Sequence, residues 1–162
     1  MRPSQYRDNA LFLATQDDVY VSQDAALKGF NFDADAWMHI RPDGTFVHRA
    51  TRPGYDGFAW DGCSPKFALG PLMLGTWDGH FTETLKMPQA IRAAKFHDAL
   101  YQELDQLKQI GFERKHADLL FREMLVDAAF TYPDVYYWAV RTFGGLDLRV
   151  WKARSKNGSI AT

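Results

Sequence analysis

The chain is predicted to be an α+β domain: an N-terminal β-hairpin or meander portion followed by about three C-terminal helices. Three observations carry this expectation. β-prone runs bounded by turn residues occupy the first half. Apolar residues at three- and four-residue steps, the period of a helix, occupy the second. Between them, Pro53 to Pro71 contains Gly54, Gly57, Gly62 and Gly70, too much glycine for a helix interior.

Taken in order, Val19-Tyr20-Val21 is a short β-prone run. Trp37 to Arg41 and Thr45 to Arg49 flank Pro42-Asp43-Gly44. Proline presets φ and glycine permits positive φ, so the two runs are expected to pair as a hairpin. Beyond the glycine-rich stretch, Pro88 suits a first helical turn. Ala90, Ala93, His97, Leu100, Leu104 and Leu107 follow at helix period, and Gly111 punctuates. A second helix is expected from about Glu113 to Ala129, with Ala117, Leu120, Phe121, Met124, Leu125 and Ala128 on one face. The short link makes these two helices antiparallel neighbours. A third helix runs from Asp134 to Phe143, after Pro133 and before Gly144-Gly145. Residues 1–151 thus read as one domain, and residues 152–162 as a polar tail expected to be mobile.

The length of 162 residues is enough to bury a substantial core. Apolar residues make up 46% and aromatics 15%, a globular composition. A formal net charge of −1 argues against a nucleic-acid binder, which would carry a basic excess. No apolar run approaches the roughly 20 residues of a membrane span, and the polar start from Met1 to Asp8 lacks a signal-peptide core. Cys63 is the single cysteine, so neither an intrachain disulfide nor a cysteine-rich zinc site is expected. A reducing compartment fits, with synthesis in a cytoplasm.

His97 lies on the apolar stripe of its helix, with Asp98 about 100° round and Tyr101 one turn on. Burying such groups unpaired would cost several kcal/mol, so they need partners. Asp118, beside the Ala117/Phe121 stripe of the next helix, is the expected one, and Arg141 is expected to pair with a buried carboxylate. A carboxylate on one imidazole nitrogen fixes the tautomer and leaves the other nitrogen as a general base. The alternative is a buried polar network that only fixes two helices.

A second motif, Trp60-Asp61-Gly62-Cys63-Ser64-Pro65, offers a carboxylate and backbone carbonyls, the hard oxygen ligands calcium takes. It also reads as an ordinary loop with an Asx turn, or as the site of a Cys63 nucleophile served by His97. His39 and His48 flank the hairpin and are expected to be exposed. His80 lies in a loop, and His116 is expected to point away from Asp118. Tyr132, Tyr136, Tyr137 and Trp138 read as core and rim packing.

These residues resemble an uncharacterised phage and prophage family (domain of unknown function 1353). The resemblance rests on Gly57-Phe58, Asp61-Gly62-Cys63-Ser64 with Pro65, His97-Asp98-Ala99-Leu100-Tyr101, Ala117-Asp118-Leu119-Leu120-Phe121 and Val140-Arg141-Thr142-Phe143-Gly144. It covers about residues 55 to 144 and departs in lacking a residue between Ser64 and Pro65. It implies a phage or prophage origin, with a place in the host cytoplasm, in the virion or in the medium after lysis.

His97-Asp98-x-x-Tyr101, with the upstream glycine-containing loop and Asp118, is also similar to secreted-type phospholipase A2. That resemblance implies that His97 activates water, that Tyr101 and Asp118 hold the imidazole, and that Asp98 ligates calcium with carbonyls near Asp61 and Gly62. Calcium would polarise the ester carbonyl. The chain departs in lacking both the disulfides and the Tyr-x-Gly-x-Gly loop.

Three functions therefore compete. The first is calcium-assisted ester hydrolysis, with membrane phospholipid as partner. The second is a non-enzymatic virion or assembly role, with other phage proteins as partners. The third is an HD-type metal phosphohydrolase drawing on His80 and Asp127 or Asp134. An open cleft at His97 is expected of an enzyme, and a covered His97 of a packing network.

Overall fold

The computed structural model describes residues 12–55, 57–60, 67–69, 72–74, 78–82 and 87–143. Small antiparallel sheets occupy the N-terminal half and four helices the C-terminal half, so the fold is α+β. The strands are β1 (Phe12–Leu13), β2 (Asp18–Val21), β3 (Met38–Ile40), β4 (Thr45–His48), β5 (Ala59–Trp60), β6 (Phe67–Leu69), β7 (Leu72–Leu74), β8 (Phe81–Thr82) and β9 (Met87–Pro88). The helices are α1 (Ile91–Gln102), α2 (Leu104–Leu107), α3 (Arg114–Asp127) and α4 (Pro133–Phe143).

The central sheet has the order β2-β4-β3. β3 and β4 form the expected hairpin, with His39 opposite Val47 and Ile40 opposite Phe46. Gly44 takes φ 89° in its turn, and the Asp43 carboxylate accepts from Thr45 N–H at 2.9 Å. Side chains alternate across a strand, so Tyr20, Phe46 and His48 share the face that packs on the helices. His48 is therefore fully buried, against the expectation of an exposed hairpin histidine. Its ring lies 4.7 Å from Phe58 and 5.8 Å from Phe96.

The helical half departs from the sequence pattern at two points. Pro88 ends β9 opposite Phe81 and does not start α1, whose N-cap is Ala90. The long apolar run also divides at Glu103, leaving α2 as a single turn followed by the 3₁₀ turn Lys108–Ile110. Glu103 is buried there, its carboxylate accepting from Trp37 N–H at 3.3 Å and from Arg52 Nη1 at 3.0 Å. α3 and α4 match the expected second and third helices closely.

α1 is the centre of the molecule. Ile91 and every residue from Ala93 to Leu100 are buried, the polar Lys95, His97 and Asp98 included. At 100° per residue, Lys95 and His97 point to opposite sides. Lys95 faces the sheet, where its Nζ donates to Asp18 at 2.7 Å beside the Arg92 contacts to the same carboxylate. His97 faces α3.

Candidate active site around His97 and Asp118

α1 and α3 run antiparallel, so that Tyr101 meets Asp118 while His97 reaches both Asp118 and Phe121 one turn further along α3. Asp118 is completely buried, and its carboxylate is the hub of the site. Oδ1 lies 2.9 Å from His97 Nε2 and accepts from the Tyr101 hydroxyl at 2.6 Å. Oδ2 accepts from Arg141 Nη1 at 3.0 Å, with Arg114 Nε 3.8 Å away. The expected approach of Asp118 to His97 and Tyr101 is present, and Arg141 has a buried carboxylate as its partner.

Electrostatics decides the protonation pattern. Burial raises the Asp118 carboxyl, but the His97, Tyr101 and Arg141 hydrogen bonds outweigh it and hold the group below the ordinary carboxylate range. Asp118 is thus ionised at neutral pH and acts only as an acceptor. The atom on it must be a donor, so Nε2 of His97 carries a proton, and in the neutral imidazole the lone pair then falls on Nδ1. Burial, together with the neighbouring Asp118 charge, pushes the Tyr101 phenol up, so Tyr101 remains a neutral donor.

His97 is 6% exposed, with its ring 4.1 Å from Tyr101 and 4.8 Å from Phe121. Asp98 is buried as well, because α1 is enclosed on all sides. Asp61, Gly62, Cys63 and Ser64 lie outside the described residues, as do Gly144-Gly145 and the tail. Among the described residues no group of three or more His, Cys, Asp or Glu side chains is placed to hold a metal ion.

The remaining candidates are engaged elsewhere. Asp127 accepts from the Tyr20 hydroxyl at 2.5 Å and Asp134 from Arg122 at 2.6 Å. His116 Nδ1 accepts from Glu113 N–H at 2.8 Å and its ring packs on Phe30 and Phe112, away from Asp118 as expected. His39 pairs with Asp33 at 2.6 Å. Tyr136 packs edge-on against Phe130, whereas Tyr132 and Trp138 stand exposed. Sequence reasoning did not anticipate Arg114, although its four-residue spacing from Asp118 on one helix was a visible signal. Nor did it anticipate the Asp18–Arg92–Lys95 group, whose carboxylate comes from a distant strand.

Comparison with protein-family models, with curated proteins and with solved structures finds no match to this chain.

Proposed function

We propose that the protein is a phage-type ester hydrolase of phospholipase A2-like chemistry, with His97 as general base. One observation carries the reading: the buried Asp118 carboxylate holds Nε2 of His97, which in the neutral imidazole leaves the lone pair on Nδ1. In the proposed step Nδ1 takes a proton from water while the water oxygen bonds to the ester carbonyl carbon. The tetrahedral intermediate then expels the alcohol, which leaves with the proton returned by Nδ1. Asp118 stabilises the imidazolium in between, and Tyr101 shares the same carboxylate oxygen and orients it.

Calcium belongs to the proposal as a group that would polarise the carbonyl. Of its three expected ligands the described residues supply only Asp98, a single carboxylate where calcium takes six to eight oxygens. No helix among the described residues is long and apolar enough to cross a membrane. Membrane lipid is proposed as the substrate on the resemblance of His97-Asp98-x-x-Tyr101 to the phospholipase motif.

The near-complete cover of His97 favours a second reading, in which the same cluster is a buried network that fixes α1 against α3 in a virion or assembly protein. One experiment separates the two. The full chain and His97→Ala are assayed on dihexanoyl phosphatidylcholine with and without calcium, and their thermal unfolding is recorded. Hydrolysis that requires His97, with little change in melting temperature, is the expected result. No hydrolysis by the wild type, with a His97→Ala protein destabilised by about 1–3 kcal/mol, would move the assignment to the network.

A further inference from the structure

We propose that Arg141 is a positioning residue of this site: its guanidinium, delivered by α4, pins the second oxygen of Asp118 and so fixes the plane in which that carboxylate holds His97. The division of contacts makes the case. Both His97 Nε2 and the Tyr101 hydroxyl are on Oδ1, whereas Arg141 Nη1 is on Oδ2. The last torsion of an aspartate is broad and nearly two-fold. A carboxylate held through one oxygen can therefore pivot about its Cβ–Cγ bond, and His97 would pivot with it. Among the described residues Arg141 is the hydrogen-bond donor to Oδ2, since Arg114 Nε stands off at 3.8 Å.

Arg114 has a different task. It donates to the backbone carbonyl of Arg141 and ties the last turn of α4 to α3 where Asp118 emerges. The guanidinium of Arg141 is thus aimed by a braced helix end, not by a free surface side chain. A cation placed only to neutralise Asp118 would need no such brace, because a charge acts at any bearing. A hydrogen bond to one chosen oxygen depends on direction.

The activity part of the inference rests on the hydrolase reading, but its geometric part does not, and the test keeps them apart. The full chain with isotope-labelled histidine is compared as wild type, Arg141→Leu, Arg141→Met and Arg141→Lys at neutral pH. The imidazole tautomer of His97 is read from proton–nitrogen spectra, assigned with His97→Gln. Turnover and KM are read on dihexanoyl phosphatidylcholine. The wild type should show a single Nε2–H tautomer. Leu and Met, which remove the donor, should mix the tautomers and lower kcat about tenfold or more with KM unchanged. Lys, which restores a donor, should recover both. Two donor-free variants, Leu and Met, are used so that one which fails to fold does not end the test. A folded Leu or Met variant with the wild-type tautomer, or a Lys variant that recovers nothing, would overturn the positioning role. A tautomer that depends on Arg141 in a protein that hydrolyses no ester would overturn the hydrolase reading and leave the positioning role intact.

Discussion

Asp118 shows how much one side chain can be asked to do. It is fully buried, ionised, and shared by His97, Tyr101 and Arg141 from two other helices. An asparagine at this position could not replace it. Its single oxygen could serve either the His97/Tyr101 side or the Arg141 side, and its NH₂ would then face a donor. Asp118→Asn is expected to cost about 3 kcal/mol or more by chemical denaturation, the cost of breaking a buried charged pair. It should abolish any His97-dependent hydrolysis, because no carboxylate remains to fix the tautomer and stabilise the imidazolium. A variant as stable as the wild type would show that the cluster is not held by the carboxylate. The residues of this cluster were legible in the sequence for a simple reason: polar groups on apolar helical stripes have few places to find partners. Asp98 was read less well. Its position 100° round from His97 suggested the edge of a stripe, but α1 has no edge.

At the scale of elements, the junction between α1 and α3 carries the geometry of the site. His97 and Asp118 are 21 residues apart, and the link between their helices must return the chain in register. Gly111 closes that link at φ 79°, after the 3₁₀ turn Lys108–Ile110. A Cβ at Gly111 would meet nothing within 4 Å, so a substitution there tests backbone conformation alone. Gly111→Ala is expected to lower stability by about 1 kcal/mol, read by urea unfolding. Asn, which tolerates left-handed conformations better, should cost less than Ala. Equal costs for the two would show that the turn does not need positive φ. Periodicity identified both helices, yet it overran Glu103, because apolar spacing continues through Leu104 and Leu107. What ends α1 there is an inward carboxylate serving Trp37 and Arg52, a tertiary demand that local spacing does not contain.

For the molecule as a whole, the buried titratable groups set the response to pH. Burial first, and then the charge of Lys95, push the His48 imidazole down to about 3. Burial raises the Asp18 carboxyl, but Arg92 and Lys95 more than offset this, and Asp118 is likewise held low. Each of these groups binds fewer protons in the folded state than in the unfolded one. Stability is therefore full above their unfolded values and falls as pH drops through the window to the folded ones. The window opens near pH 6.5 for His48 and near pH 4 for the carboxylates. The share of His48 is on the order of 4–5 kcal/mol across its window. Guanidinium unfolding of the wild type should thus show stability declining between pH 7 and pH 4. His48→Phe, a ring of similar shape among Phe58 and Phe96, should flatten that slope and raise stability at pH 4. An unaltered slope would place the acid sensitivity elsewhere.

The sequence by itself determined the type and order of the main elements, since strand alternation and helix period are local properties of the chain. It also supplied the reason to expect that His97, Tyr101 and Asp118 meet, because unpaired burial is costly, while the register that brings them together was left to the packing of the helices. The tertiary structure alone decided which groups are enclosed and which of several partners each one takes. His48, Lys95 and Asp98 carry the residue types of a surface, yet the sheet on one side of α1 and α3 on the other leave them no solvent to face. Lys95 finds Asp18 from 77 residues away. Pro88, compatible with a first helical turn, is held instead in the β8–β9 pair. Local patterning states which side of an element is apolar. Enclosure depends on how many neighbours surround that element, which is decided only when the distant parts of the chain are packed together.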